Sequence, residues 1–158
     1  MNTKLVSNMK TKKELIAIIL GSANDNRAVL VRIIVGLIFL SEGLQKFLFP
    51  QLMGAGRFLD IGFSHPATWA YFAGTFEIIC GALVLFGLFS RVAAVPLLIV
   101  MMTAFIKAKW PLMLHIGFWS TVHENNTDFA LTLLLIYLLV FGSGSWSLDS
   151  KIVGTMKS

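Results

Sequence analysis

Four long apolar blocks, parted by short polar stretches, set the pattern of the chain. The first runs from about Ala28 to Phe49 and stops at Pro50; the second runs from about Ala67 to Phe89, after Ser64-His65-Pro66. The third, from about Val92 to Ile106, is the shortest and lies between Arg91 and Lys107, whose long stems snorkel to the interface. Pro96 stands near its start, where it costs a helix little. The fourth covers about Phe129 to Phe141 plus a polar first turn and ends at Gly142-Ser143-Gly144. A helix rising about 1.5 Å per residue needs about 20 apolar residues to cross a hydrocarbon core of about 30 Å. The blocks meet or approach that length, and none alternates with the period of a strand. The predicted fold is all-α, an integral membrane four-helix bundle.

Composition narrows the alternatives. Of the 158 residues, 56% are hydrophobic and 13% charged, with a mean hydropathy of +0.79. So little polar material could not cover a soluble fold, where about 25% charge is usual. Cys80 is the only cysteine, which excludes an intrachain disulfide and a paired-cysteine redox motif.

The basic residues predict orientation. Lys4, Lys10, Lys12, Lys13, Arg27, Arg91, Lys151 and Lys157 fall on one side of four spans, against Arg57 and Lys109 on the other. Cytoplasmic loops carry the excess of Lys and Arg, so both termini are expected in the cytoplasm. The net charge of +5 then reads as topology and contact with anionic headgroups rather than nucleic-acid binding.

Two stretches fall outside the spans. Lys12-Lys13, the apolar run Leu15–Leu20 and Gly21-Ser22-Ala23 resemble a signal peptide, but the run is short for one. A short amphipathic helix on the inner leaflet is the expectation for this arm, residues 1–27. Trp110–Trp119 is too apolar for a solvated loop and too short to cross; it is expected in the outer interface or as a re-entrant cap.

Charge within the spans is the main chemical signal, because an ionised side chain at the bilayer centre costs about 2.5–3.5 kcal/mol even on a lenient scale. Glu77 falls at the middle of the second span. On the first, Glu42 lies about 6 Å and Lys46 about 12 Å outward of centre, and Arg32 about 9 Å inward. Arg32, Gly36, Phe39, Gly43 and Lys46 share a helix face, with Glu42 at its edge; Gly74, Glu77 and Gly81 share another. Glycine lets two backbones approach closely in membranes, so the two faces are expected to dock. That would gather Arg32, Glu42 and Lys46 around Glu77, either as a working polar pocket or as a lock holding the helices in register.

Other constellations are weaker. Asp128 reads as a helix-start residue suited to the dipole. His115, His123, Glu124 and Asp128 match no ligand spacing, so no metal site is expected, and His65 reads as turn material. Phosphate loops, dinucleotide-binding glycines and nucleophile elbows are absent.

Three runs resemble the DoxX family. Arg32–Phe47 is similar to its first helix, and Phe76–Arg91 to its E-x-x-x-G-x-L-L-L-x-G-x-x-x-R second helix. Phe141–Asp149 is similar to its G-x-G-x-x-S-L-D close. The resemblance implies a four-helix domain over residues 28–149 and a cytoplasmic tail over 150–158, in a multi-pass protein of the bacterial inner membrane. It also implies polar positions at Arg32, Lys46, Glu77, Arg91 and Asp149; this chain has Asp128 where the family often has Glu. The family takes its name from a small subunit of a thiosulfate:quinone oxidoreductase. A redox-associated membrane subunit with a pocket for a quinone-like molecule is therefore the leading expectation. Arg32, Glu42, Lys46 and Glu77 would bind it, with Glu77 as proton relay. Electrons would come from partner subunits of a redox complex, since the sequence carries no redox motif. The rival readings are an assembly or scaffold subunit and a small proton-coupled transporter. Association of copies through the apolar outer surface is open, although lipid covers that surface equally well.

Overall fold

A computed structural model describes residues 26–157, and no strand occurs among the described residues. Helix α1 spans Ala28–Leu48, α2 spans Ala55–Asp60, α3 spans Pro66–Phe86 and α4 spans Ser90–Ala104. A π-helical turn, Phe105–Lys109, carries α4 directly into α5, Trp110–Ile116. Helix α6 (Phe118–Glu124), α7 (Asn126–Phe141) and α8 (Leu148–Lys157) complete the order. Among the described residues three helices are long and apolar enough to cross a membrane: α1, α3 and the continuous Ser90–Ile116. The pair α6–α7, bent by 75°, makes a fourth if counted as one span. The expectation for residues 1–25 of the N-terminal arm lies outside the described residues.

Local chemistry explains the ends. Pro66 opens α3 where its missing N–H is not needed. Gly87 ends it with φ +67, and two bonds close the turn: Gly87 N–H to Val84 C=O at 3.0 Å and Leu88 N–H to Leu83 C=O at 2.9 Å.

Helices α1 and α3 pack backbone to backbone in antiparallel order. Gly36 faces Gly81 and Gly43 faces Gly74, as the shared spacing predicts. A methyl group on Gly43 would lie 2.8 Å from the Gly74 carbonyl oxygen, and one on Gly36 would lie 2.7 Å from Leu85 Cβ. Around this axis α4 and α7 complete one core. It holds Val35 and Phe39, Cys80 and Val84, Ala94 and Leu97, and Leu131, Leu135 and Leu138. The leucines recur on α7 at the three- and four-residue steps of one helix face.

The third helix departs from expectation. It is the longest described element, 27 residues, and Trp110–Ile116 continues it as helix where the sequence suggested a stretch separate from the span. At about 1.5 Å per residue it is about 40 Å long, so it tilts in or protrudes from a core of about 30 Å. The π-helical turn makes this work, because its wider bonding pattern absorbs Pro111, which stands in the first turn of the next segment. The break comes at Gly117, with φ +86. We call the end of the bundle bearing Gly87 and α8 basal, and the end bearing α6 apical.

Candidate functional site

The sequence gathers its ionisable groups around Glu77; the structure distributes them over three centres. In the first, Lys46 Nζ lies 2.6 Å from Glu77 Oε2. Their meeting follows from helix geometry, since Cα–Cβ bonds tilt toward a helix's own N-terminus. In antiparallel α1 and α3, Lys46 therefore leans down toward the middle of the bundle and Glu77 leans up toward it. Both are buried. Lys46 also donates to the Glu42 carbonyl oxygen at 3.3 Å and stands 3.8 Å from Glu42 Oε2. The Glu42 side chain is 49% exposed, so it edges the pair and does not seal it.

Arg32 is not in this centre. It sits 14 residues before Lys46 on the same helix, about 21 Å away along the axis. Its hydrogen bond at the opposite end of the bundle replaces the expected Arg32–Glu77 neighbourhood. Arg32 instead builds the second, basal centre, where its Nη2 donates to the Trp146 carbonyl oxygen at 2.6 Å. Beside it the buried Asp149 accepts from Phe89 N–H at 2.8 Å, Ser90 N–H at 3.4 Å and Ser143 Oγ at 3.1 Å. The Asp149 N–H in turn donates to the Gly87 carbonyl oxygen at 3.0 Å. Asp149 thus caps the start of α4 from the far end of the chain, and it holds Phe89 in the left-handed region at φ +50. Gly87 is required here twice, for its positive φ and because a Cβ would fall 1.8 Å from Arg32 Nη1. Arg91 donates to the Val140 carbonyl oxygen at 2.9 Å and ties α4 to α7 at the same end.

The third centre was read in the sequence only as separate pieces, Lys109 as a topological charge and Asp128 as a helix-start residue. Lys109 is buried and bonds both Asp128 Oδ2 and Asn125 Oδ1, joining the π-helical turn to the start of α7. The π-helical turn explains why. Steps of four residues drift round an α-helix by about 40° each, since it has 3.6 residues per turn. The wider turn at Phe105–Lys109 takes up that drift, so Met101, Phe105 and Lys109 stay on one face. A cavity of about 220 Å³ opens beside the pair. Met101, Met102 and Phe105 form one wall, Phe129 and Thr132 the other, and Lys109 with Asp128 its polar end. Thr132 Oγ1 donates to the Asp128 carbonyl oxygen at 2.8 Å, bracing the first turns of α7. The four-residue spacing from Leu97 through Met101 and Phe105 to Lys109 was the available sequence signal; the break suggested by Pro111 obscured it.

Among the described residues, no three His, Cys, Asp or Glu side chains converge on one point where a metal ion could sit.

The comparisons with known proteins accord with this architecture. The DoxX family profile matches residues 28–110. An uncharacterized membrane protein of Mycobacterium tuberculosis is 46% identical over 130 residues, covering 78% of this chain and 80% of that protein. A Bacillus subtilis protein named "Putative oxidoreductase CatD" is 35% identical over 124 residues, covering 77% of this chain and 83% of that protein. No solved structure matches. The family profile covers the motifs at Arg32–Phe47 and Phe76–Arg91, and the chain belongs to the DoxX family.

Proposed function

We propose that the chain is a redox-associated subunit of the bacterial inner membrane, with both termini in the cytoplasm, that holds a quinone-like molecule within the bilayer. The observation that carries this reading is the cavity whose walls are apolar and whose one polar end is the Lys109–Asp128 pair. Binding sites for lipophiles have this make-up, with mostly apolar walls and a few converging polar groups. The oxidoreductase name of the Bacillus relative points the same way.

The residues fit the chemistry. An ammonium group has three N–H donors, and Asn125 and Asp128 take two of those of Lys109. The third is the donor that a ring carbonyl oxygen reaching that end of the cavity would use. Asp128, its side chain 38% exposed, can hold or pass a proton at its carboxylate beside that oxygen. When bound, a quinone supplies electron-carrying chemistry, and the electrons come from a partner subunit. Of the four residues the sequence puts forward for this role, Arg32, Glu42, Lys46 and Glu77, the structure pairs Lys46 with Glu77, which serve in this reading as a clamp between α1 and α3.

Purification in mild detergent followed by mass spectrometry for small lipophiles tests the reading. The wild-type chain should retain quinone, and Lys109→Gln with Asp128→Asn should lose it while remaining folded. Retention no higher than that of an unrelated four-span protein overturns it. A second reading, a scaffold that assembles partner subunits, draws on the many exposed apolar side chains and on the Lys46–Glu77 ion pair that joins α1 to α3. It predicts that the double substitution changes neither quinone content nor the yield of the assembled complex. A proton-coupled transporter is the remaining alternative; flux into liposomes that survives Asp128→Asn counts against it.

A further inference from the structure

Resting on the reading above, we propose that the ligand reaches the Lys109–Asp128 cavity sideways from the bilayer, between α4 and α7. Its ring lies inside and its hydrocarbon tail stays in the lipid.

Volume decides the first part. The cavity measures about 220 Å³. Pockets that enclose a whole drug-sized ligand run to roughly 300–1,000 Å³, whereas an apolar cavity of about 150 Å³ takes up benzene. The space therefore suits a compact head of one or two fused rings and cannot also enclose a long tail. A ligand with a tail must leave it outside.

Exposure decides the second part. Met102 on α4 and Phe129 on α7 line the cavity and are 50% and 38% exposed. Both lie within helices that the chain presents to the membrane, so the side of the cavity they flank faces acyl chains. Below it, Leu97, Leu131 and Leu135 are packed into the core, which closes a route from the basal end. Methionine, unbranched and adaptable, suits a mouth that must admit a ring. At the opposite end of the cavity the Lys109–Asp128 pair meets the ring's oxygen. The head is thus drawn toward the apical side, and the tail lies across the α4–α7 seam.

Binding to the full chain in nanodiscs tests this, read by quenching of tryptophan fluorescence. Two probes serve, a methylnaphthoquinone bearing an isoprenoid tail and the same ring without one. Specific binding is the part lost in the Lys109→Gln, Asp128→Asn double variant. In Met102→Phe a bulkier, stiffer side chain narrows the mouth without adding a fluorophore to the readout. The tailed probe, whose tail must stay in that mouth, should then bind about tenfold more weakly at equilibrium, a change of about 1.4 kcal/mol. The tailless ring, which passes the mouth without remaining in it, should enter more slowly but lose clearly less affinity. Equal loss of both probes, or no loss of the tailed one, overturns the lateral route while leaving the quinone reading in place. If neither probe binds the wild type above the double variant, the quinone reading fails, and this inference with it.

Discussion

Among the described residues two buried lysines, Lys46 and Lys109, each pair with a carboxylate, and the pairs are built in opposite ways. Lys46 and Glu77 meet across two helices that touch through facing glycines, Gly36 with Gly81 and Gly43 with Gly74. Lys109 and Asp128 meet where a π-helical turn widens α4 and α7 begins after a 75° bend, and a cavity stands beside them. Close backbone approach brings the first pair together with Glu42 at its edge; irregular helix leaves the second pair a space. The same two functional groups therefore form a clamp in one place and the polar end of a chamber in the other. What separates them is the helix geometry around the ions.

The largest effect that can break this comparison is at the glycine seam. A side chain at Gly43 would press on the Gly74 carbonyl, backbone that cannot move aside. Gly43→Val should abolish α1–α3 docking, seen as loss of monodisperse protein after detergent extraction. Next comes the clamp. Lys46→Met leaves Glu77 buried without its partner, a change worth about 3–5 kcal/mol, whereas Lys46→Met with Glu77→Leu should recover most of that stability. Thermal unfolding in detergent distinguishes the two, and a double variant as weak as the single one contradicts the clamp. Asp149→Ala removes the remote cap of α4 and the hydrogen bond from Ser143; about 1–3 kcal/mol should be lost, with proteolysis first exposing the basal end. The smallest effect belongs to Glu42→Gln. Its carboxylate is half exposed and 3.8 Å from Lys46, so stability should move by less than about 1 kcal/mol.

Much of the clamp was legible in the sequence, and little of the chamber was. Spans α1 and α3 announce themselves by length, and the seven-residue glycine spacing on each marks the faces that dock. Spacing alone left the partner of Glu77 open between Arg32 and Lys46. The direction in which side chains lean on antiparallel helices selects Lys46, and a helical wheel omits that direction. Arg32 was misplaced because its partners, Trp146 and the Asp149 loop, come from the far end of the chain, and no local periodicity links them. The chamber depends on a π-helical turn, whose one trace in the sequence is the four-residue spacing from Leu97 through Met101 and Phe105 to Lys109. With Pro111 only two residues after Lys109, the pattern read as the end of a helix that in fact continues.

The claim that one pair clamps while the other binds is tested most directly by one probe on two double variants. Tailed methylnaphthoquinone would be titrated into nanodiscs holding either Lys46→Met, Glu77→Leu or Lys109→Gln, Asp128→Asn. The account predicts binding within about twofold of wild type for the first, a difference of about 0.4 kcal/mol, and loss of specific binding for the second. Loss in the first variant with retention in the second would contradict it.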